Sequence, residues 1–477
     1  MTRGTKIVAT LGPATSDPEV LERLIRAGVD VVRLNFSHGK AQDHIDRANL
    51  VRTISEKVGR TVALMADLQG PKIRVGKFVD GKVQLVKGER FVLDAGRTEP
   101  GDIHGVGLDY KELPRDVKPG DTLLLNDGLI VLTVEEVKGD KVHTIVKVEG
   151  ELSNNKGINK QGGGLTAPAL TAKDMDDIRT AASFRCDYLA VSFPKNSTDM
   201  EMARQLANVA GEAQRHKPAM IAKIERTEAI PNLESILRAS DGIMVARGDL
   251  AVEVGNASVP ALQKRMIKMA REMDKVVITA TQMMESMILA PVPTRAEVSD
   301  VANAVIDGTD AVMLSAETAS GSYPVQAVEM MARIICEAEA SITEFSRPAS
   351  EAKLKVAETV AELVCHASRE LHLKWITVFT HSGFTARLIS RYRPLVPIAA
   401  FAPEPETRRR MALVWGVNPL KIPNLRKVEQ LAEISEKRLL EEKLVRKGDV
   451  IAIVAGTPMG VRGTTNFVKF HSIGGTA

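Results

Sequence analysis

Residues 219–225 read AMIAKIE and residues 242–249 read GIMVARGD, two apolar runs whose starts lie 23 residues apart and whose ends are charged. Each has the length of a buried strand, and the gap has room for one crossover helix, so the pair reads as a βαβ unit of a parallel sheet. Strand side chains alternate, so Lys223 and Glu225 project to one face, roughly 6.6 Å apart along the chain. Asp249 ends the second run. A cation flanked by two carboxylates on neighbouring strand ends is what a divalent metal handling a phosphorylated, anionic substrate requires. The same trio could be a buried ion-pair network at a sheet rim. Its company decides.

Six further runs share the pattern, starting near Lys6 (KIVATLG), Asp30 (DVVRLNF), Thr61 (TVALMADL), Tyr188 (YLAVSF), Lys275 (KVVITAT) and Ala311 (AVMLSAE). All start-to-start spacings but one lie between 23 and 36 residues, one strand plus one helix. Helical patterns fill the gaps, as in Asp17–Ala27 and Val259–Met273, where Pro260 suits a first turn. Eight such units close naturally into a (β/α)₈ TIM barrel, whose chemistry sits where the strands end. The ends are polar: Gly12-Pro13; Arg33, Asn35 and Ser37; Asp67; Ser192; Lys223 and Glu225; Gly248-Asp249; Thr281-Gln282; Ser315 and Glu317. Their concentration on one rim marks an active site.

The exceptional spacing is 127 residues, between the third and fourth runs. It has room for an inserted domain, placed at 71–167 and ending in Gly162-Gly163-Gly164. Short runs broken by Gly and Asp (KVQLVKG, RFVLDA, TLLLND, IVLTVEEVKGDKVHTIVKV) make it β-rich and small-barrel-like. A small domain hinged over a barrel mouth is placed to act as a lid. The barrel is thus expected over 1–70 and 168–342. Phe345–Glu351, with Pro348, reads as a linker to a C-terminal α/β domain, 343–477. That domain is expected to run helix 352–370, strand KWITVFT, helix TARLISRYR, strand PIAAFA, a longer helix near 427–445 and strand DVIAIVAG.

Composition fits a large soluble enzyme of about three domains: 477 residues, 44% hydrophobic, net charge +4. No apolar stretch approaches the roughly 20 residues of a membrane span, and the first apolar run is too short for a secretory signal. Cys186, Cys336 and Cys365, odd in number and without a CxxC, read as reduced core residues of a cytoplasmic protein. The run Arg408-Arg409-Arg410 reads as a solvated helix face rather than a nucleic-acid patch. Aromatics at 4% offer few stacking platforms, and the nine histidines show no zinc spacing.

Neither a P-loop nor a Rossmann glycine turn occurs. The rim still fits phosphoryl transfer, which needs positioning and charge neutralisation more than covalent work. Lys223 can neutralise a moving phosphoryl group, and Glu225 and Asp249 can hold Mg²⁺. Backbone N–H groups at Gly248-Asp249 can hold a carboxylate, and Arg33 and Arg74 can contact phosphate oxygens.

The stretches KIVATLGPAT, VVRLNFSHG, DLQGPKIRVG, LAVSFP, AKIERTEAI, MVARGDLAVE, ITATQMMESM, PTRAEVSDVANAVIDGTDAVMLSAETA and the late GTTN closely resemble the pyruvate kinase family, in order and over essentially the whole chain. The resemblance implies phosphoenolpyruvate plus ADP giving pyruvate plus ATP: phosphoryl transfer, then protonation of enolpyruvate. It implies catalytic roles for Lys223, Thr281 and Arg33, with Thr281 starting the proton path. It gives Arg33, Lys223, Gly248, Asp249, Thr281 and Ser315 as substrate contacts. Glu225 and Asp249 resemble the Mg²⁺ ligands, with Mn²⁺ as a substitute. Pro13, Asn35, Ser37, His38, Arg74 and Lys156 resemble nucleotide contacts, Lys156 coming from the lid. A cytoplasmic homotetramer without nucleic-acid or membrane partners is implied.

Many family members bind K⁺ through residues matching Asn35, Ser37, Asp67 and Leu68, with an acidic residue where this chain has Lys72. A lysine there resembles the K⁺-independent branch, its ammonium standing in for the ion. Ala251, where the family usually has Gly, is a minor departure. In the C-terminal domain, Thr380, Ser382, Gly383 and Thr385 form a strand-to-helix turn that reads as a helix cap or a phosphate site. The resemblance matches it to the activator-phosphate loop, implying a sugar or nucleoside monophosphate effector. Two other classes fit part of the rim: a Mg²⁺-dependent pyruvate lyase or aldolase, and a non-catalytic metabolite sensor. Dependence on ADP separates the first, and any turnover the second.

Overall fold

The computed structural model describes residues 3–343, 355–425, 427–459, 461 and 464–475. The linker expected at 345–351 lies outside the described residues. Eight parallel strands close a barrel: β1 (Lys6–Thr10), β2 (Val31–Asn35), β3 (Ala63–Asp67), β4 (Tyr188–Val191), β5 (Ala219–Ile224), β6 (Gly242–Ala246), β7 (Val276–Ala280) and β8 (Ala311–Leu314). They pair in chain order, and β8 returns to β1 with Lys6 opposite Ala311. Helices cover the outside and side chains fill the inside, so these strands are apolar on both faces and read as continuous runs. Asp17 caps helix Pro18–Ala27 by accepting the Glu19 N–H, as the sequence suggests.

One expected boundary moves. The run GIMVARGD leaves the sheet at Ala246, the last residue paired with β7, and Arg247–Val254 is a helix. Gly248 and Asp249 therefore occupy a first helical turn, where backbone N–H groups lack partners and negative charge is favoured.

At the opposite rim, one device recurs four times. Asp30, Asp187, Asp241 and Asp310 each stand directly before an even-numbered strand. Each carboxylate accepts the N–H of the second residue of the preceding strand: Ile7 at 2.9 Å, Leu64 at 2.8 Å, Met220 at 2.8 Å and Val277 at 2.9 Å. Each is also paired with arginine: Asp30 with Arg3 and Arg60, Asp187 with Arg52 and Arg409, Asp241 with Arg204, and Asp310 with Arg393.

Between β3 and β4 the insert forms a six-stranded sheet in the order 158–160, 122–125, 130–138, 141–148, 90–94, 105–107. A two-stranded ribbon, 82–85 with 150–153, packs on the same core through Leu85 and Leu152. The C-terminal sheet has five strands in the order Val417–Lys421, Ile398–Ala402, Trp375–Phe379, Val450–Gly456, Thr465–Ser472, the last antiparallel. Its first and last strands were not anticipated from sequence, and the helix that carries the arginine run, expected without bounds, spans Pro405–Met411.

The arginine run on that helix is not a solvated face. Arg409 Nε lies 2.7 Å from Asp187 Oδ1, Arg410 donates to the Lys217 carbonyl, and Arg408 donates to the Ala402 and Pro403 carbonyls. Two of its four partners, Asp187 and Lys217, come from the barrel, which a helix-surface pattern does not reveal. Met411, Leu413 and Val414 join the barrel-interior residues Met65, Met244 and Met313 in one cluster. Cys186, Cys336 and Cys365 are free thiols. Among the described residues no helix is long and apolar enough to cross a membrane.

Asp187→Ala would strip an acceptor from the Leu64 N–H and leave Arg52 and Arg409 unpaired together. Removing one side of a buried pair costs about 3–5 kcal/mol. Calorimetry should show a clear fall in melting temperature, and none for Asp176→Ala, whose carboxylate meets only Arg179 at an exposed helix surface.

Candidate active site

The carboxyl-end rim gathers a buried charge network. Lys223 Nζ lies 2.9 Å from Glu225 Oε1 and 3.2 Å from Asp67 Oδ1, and donates to Ser192 Oγ at 2.7 Å. Arg33 Nε lies 2.6 Å from Asp67 Oδ2, and its Nη1 donates to Thr10 Oγ1. Glu225 Oε2 accepts the Phe193 N–H at 2.9 Å, and Ser192 Oγ donates to the Leu68 carbonyl at 2.7 Å. Five strand ends thus hold one another's side chains.

Burial opposes every charge here, and partners decide the outcome. For Asp67, burial raises the carboxyl, but Lys223 and Arg33 outweigh it and hold it below its ordinary range. For Lys223, burial works downward, and the Asp67 and Glu225 carboxylates more than reverse it. For Glu225, burial wins: its carboxyl is pushed up to about 7, with Lys223 opposing and Asp249 adding to the rise. Asp249 is therefore within electrostatic reach of both Lys223 and Glu225.

Beside this network, the Gly248 N–H donates to Thr281 Oγ1 at 2.8 Å, and the Thr281 hydroxyl donates to the Ala280 carbonyl at 2.6 Å. Thr281 (φ +70°) and Gln282 (φ +53°) are both left-handed, a strained conformation for a β-branched residue. The Ser315 N–H is held by Glu317 Oε2 at 2.6 Å. Among the described residues no group of three or more His, Cys, Asp or Glu could hold a metal. The pair Glu225 and Asp249 suits Mg²⁺, which binds one or two carboxylates and keeps waters and substrate oxygens for the rest.

The nucleotide candidates are spread around the mouth. Pro13 and His38 are exposed. Asn35 Oδ1 accepts the Ser37 N–H, and the His44 ring, stacked on Phe36, lies 3.0 Å from the His38 carbonyl. Arg74 bridges to Gly157, the neighbour of Lys156, so both basic residues share the root of the insert. Lys72 lines the cleft between insert and barrel with Gly248, Asp249 and Gln282. The cations touching Asp67 are Arg33 and Lys223, not Lys72.

Far from this rim, Thr380, Ser382 and Thr385 line a cavity in the C-terminal domain with Thr464 and Thr465. Thr385 and Thr465 hydroxyls lie 2.7 Å apart, and the Gly383 N–H donates to Thr380 Oγ1. Gly383, at φ +78°, begins the helix Phe384–Arg391 in a conformation that favours glycine.

Three contributors escaped the sequence analysis as site residues: Thr10, Ser192 and Arg247. Ser192 stood on the polar rim, and that position was its signal. Thr10 and Arg247 act through neighbours that only barrel closure brings near.

The last residues of the insert are tied to the barrel. The Gly164 N–H donates to Glu228 Oε1 at 2.5 Å, and the Gly162 N–H to the Glu253 carbonyl at 3.3 Å. The Glu253 carboxylate accepts the Thr227 N–H at 2.8 Å.

The sequence matches the family description "Pyruvate kinase, barrel domain" over residues 2–328 and "Pyruvate kinase, alpha/beta domain" over 358–471. It is 48% identical to pyruvate kinase II of Salmonella typhimurium over 481 residues, covering 99% of each chain. It is 43% identical to a pyruvate kinase of Mycobacterium tuberculosis, again over 99% of each. Its fold is similar to the crystal structure of a pyruvate kinase from Cryptosporidium parvum, with TM-score 0.92 and 33% identity over 99% of this chain and 96% of that one.

Glu253 makes the protein's stability pH-sensitive in a measurable way. Burial pushes its carboxyl up to about 6, against the Thr227 hydrogen bond. A raised carboxyl favours the folded state when protonated, so that stability is present below the ordinary glutamate value and lost as pH rises through about 6. Glu253→Gln, which keeps an acceptor for Thr227, should stabilise the protein by about 1–2 kcal/mol at pH 8 and little at pH 5. Melting curves at the two pH values test this.

Proposed function

This chain belongs to the pyruvate kinase family and is a phosphotransferase, and we propose that it transfers the phosphoryl group of phosphoenolpyruvate to ADP with Mg²⁺, at the last step of glycolysis, as a cytoplasmic homotetramer activated by a phosphorylated metabolite. The observation that carries the reading is the buried Lys223–Asp67–Arg33–Glu225 network, beside the Gly248–Thr281 pair, on the carboxyl-end rim. Lys223 and Arg33 are held in fixed positions before any substrate arrives, so their charge can meet the transferring group without reorganisation. Two cations face the three carboxylates of Asp67, Glu225 and Asp249. An anionic substrate therefore needs more positive charge, which Mg²⁺ supplies when held by Glu225 and Asp249.

The substrate carboxylate takes over the Gly248 N–H, now donated to Thr281 Oγ1, and the Asp249 N–H at the helix start. That exchange frees a lone pair on Thr281 Oγ1, through which the hydroxyl can accept a proton and pass its own on at the start of the proton path. The bond between phosphorus and the enol oxygen breaks, an ADP oxygen bonds to phosphorus, and enolpyruvate is protonated on its methylene carbon. Ser315 belongs to the substrate contacts, and Pro13, Asn35, Ser37, His38, Arg74 and Lys156 to the nucleotide's. The lid, 71–167, brings Arg74 and Lys156 over the barrel, 1–70 and 168–342. Lys72, though not in contact with Asp67, supplies the charge that K⁺ brings to the pocket of Asn35, Ser37, Asp67 and Leu68. The effector binds in residues 343–477, its phosphate held by the hydroxyls of Thr380, Ser382 and Thr385 and the turn at Gly383.

ATP formation from phosphoenolpyruvate and ADP with Mg²⁺ should proceed in buffer free of K⁺, and Lys72→Glu should make the rate K⁺-responsive. Activity that requires K⁺ in the unaltered enzyme would overturn the Lys72 role, and inactivity in both buffers with candidate activators would overturn the kinase reading. Ser382→Glu should abolish activation by sugar and nucleoside monophosphates while leaving the maximal rate intact. Activation surviving that substitution would move the effector site elsewhere.

A further inference from the structure

Arg247 is buried, directly precedes Gly248, and spends its guanidinium on the turn that carries Thr281. Its Nη2 donates to the Thr281 carbonyl at 2.7 Å and the Gln282 carbonyl at 3.2 Å, and lies 2.9 Å from Met283 Sδ; its Nε reaches the Thr281 carbonyl at 3.2 Å. On the far side Nη1 meets Asp300 Oδ1 at 2.7 Å and Gln263 Oε1 at 3.4 Å. The two carbonyls it grips belong to the left-handed pair Thr281 and Gln282. Such a conformation costs about 1–3 kcal/mol and persists only where its surroundings over-determine it. A planar fork of donors can do this, because it bonds consecutive carbonyls from one rigid group.

We infer that Arg247 is a positioning residue for the proton-transfer half of the reaction: it holds Thr281 left-handed, so that the Thr281 hydroxyl and the Gly248 N–H stay aimed at one bound substrate. The inference rests on the proton-path reading of Thr281 given above. Asp300, on the helix Arg295–Ile306, completes the clamp by fixing the guanidinium from behind. A lysine here keeps the charge and loses the fork. An arginine that only stabilised the fold would leave the two chemical steps equally affected.

The test separates those steps in the intact enzyme. Exchange of the pyruvate methyl protons with D₂O, followed by NMR, reports the proton step without net phosphoryl transfer. Arg247→Lys should slow this exchange by roughly 100-fold, the loss expected of a small misplacement of a reacting group, while the KM for ADP stays near that of the unaltered enzyme. Asp300→Asn, away from the substrate, should give the same pattern at about tenfold. Melting temperatures confirm that each variant is folded, and Thr281→Val is the reference. Exchange abolished by Thr281→Val but unchanged in folded Arg247→Lys and Asp300→Asn overturns the role of Arg247 alone. Exchange unchanged in Thr281→Val overturns the proton-path reading, and the inference with it.

Discussion

Four aspartates on the barrel floor are the constraint from which the rest of the structure follows. A parallel barrel leaves N–H groups at its amino-end rim that the ladder does not satisfy, and burying them unpaired costs free energy comparable to a lost hydrogen bond. Asp30, Asp187, Asp241 and Asp310 answer that need pairwise, each stitching an even strand to the odd strand before it. Their own charge must then be neutralised, and arginines do so. Two of those arginines, Arg393 and Arg409, come from the C-terminal domain. Closing the barrel and docking the C-terminal domain are thus one electrostatic solution. The same arrangement leaves the opposite rim free of structural duty.

That free rim carries charges that would be untenable singly. Taking one ion out of water costs several kcal/mol even after relaxation. Asp67 makes the arrangement possible by facing two cations at once, with Arg33 on one oxygen and Lys223 near the other. Glu225 is left under-compensated, which is why its carboxyl rises toward neutrality while that of Asp67 falls. A site with one settled and one unsettled carboxylate is fixed in shape and still open to a further cation.

How much of this was visible in the residues depended on the range of the interactions. The eight strands were legible because parallel strands covered on both faces must be apolar throughout. Lys223, Glu225, Asp67 and Arg33 were legible because polarity at a strand end breaks that rule conspicuously. Short or edge strands were not: Gly105–Gly107 has no side-chain pattern, and Val417–Lys421 carries Pro419, tolerable because it lies at a sheet edge. The arginine run 408–410 was misjudged because local helical pattern cannot show that Asp187, more than two hundred residues earlier, lies against it. Thr10 and Arg247 were hidden for the same reason. Their contacts are made by closure, not by neighbours in sequence.

The insert enters the chain between β3 and β4, the very pair that Asp187 stitches. Its near end, Gly70, is at φ +67° with an N–H held by Asp174 Oδ1, and a Cβ there would fall 2.8 Å from the Ser192 Cβ. The barrel thus grips the point of departure closely. For a chain so gripped, the entropic cost of looping out the intervening residues grows only with the logarithm of their number, about 0.6 kcal/mol for each doubling. The insert is therefore nearly weightless in the barrel's stability. It can be lengthened, shortened or rewritten at little thermodynamic consequence to the scaffold, which leaves its size and surface free to change while the barrel stays the same.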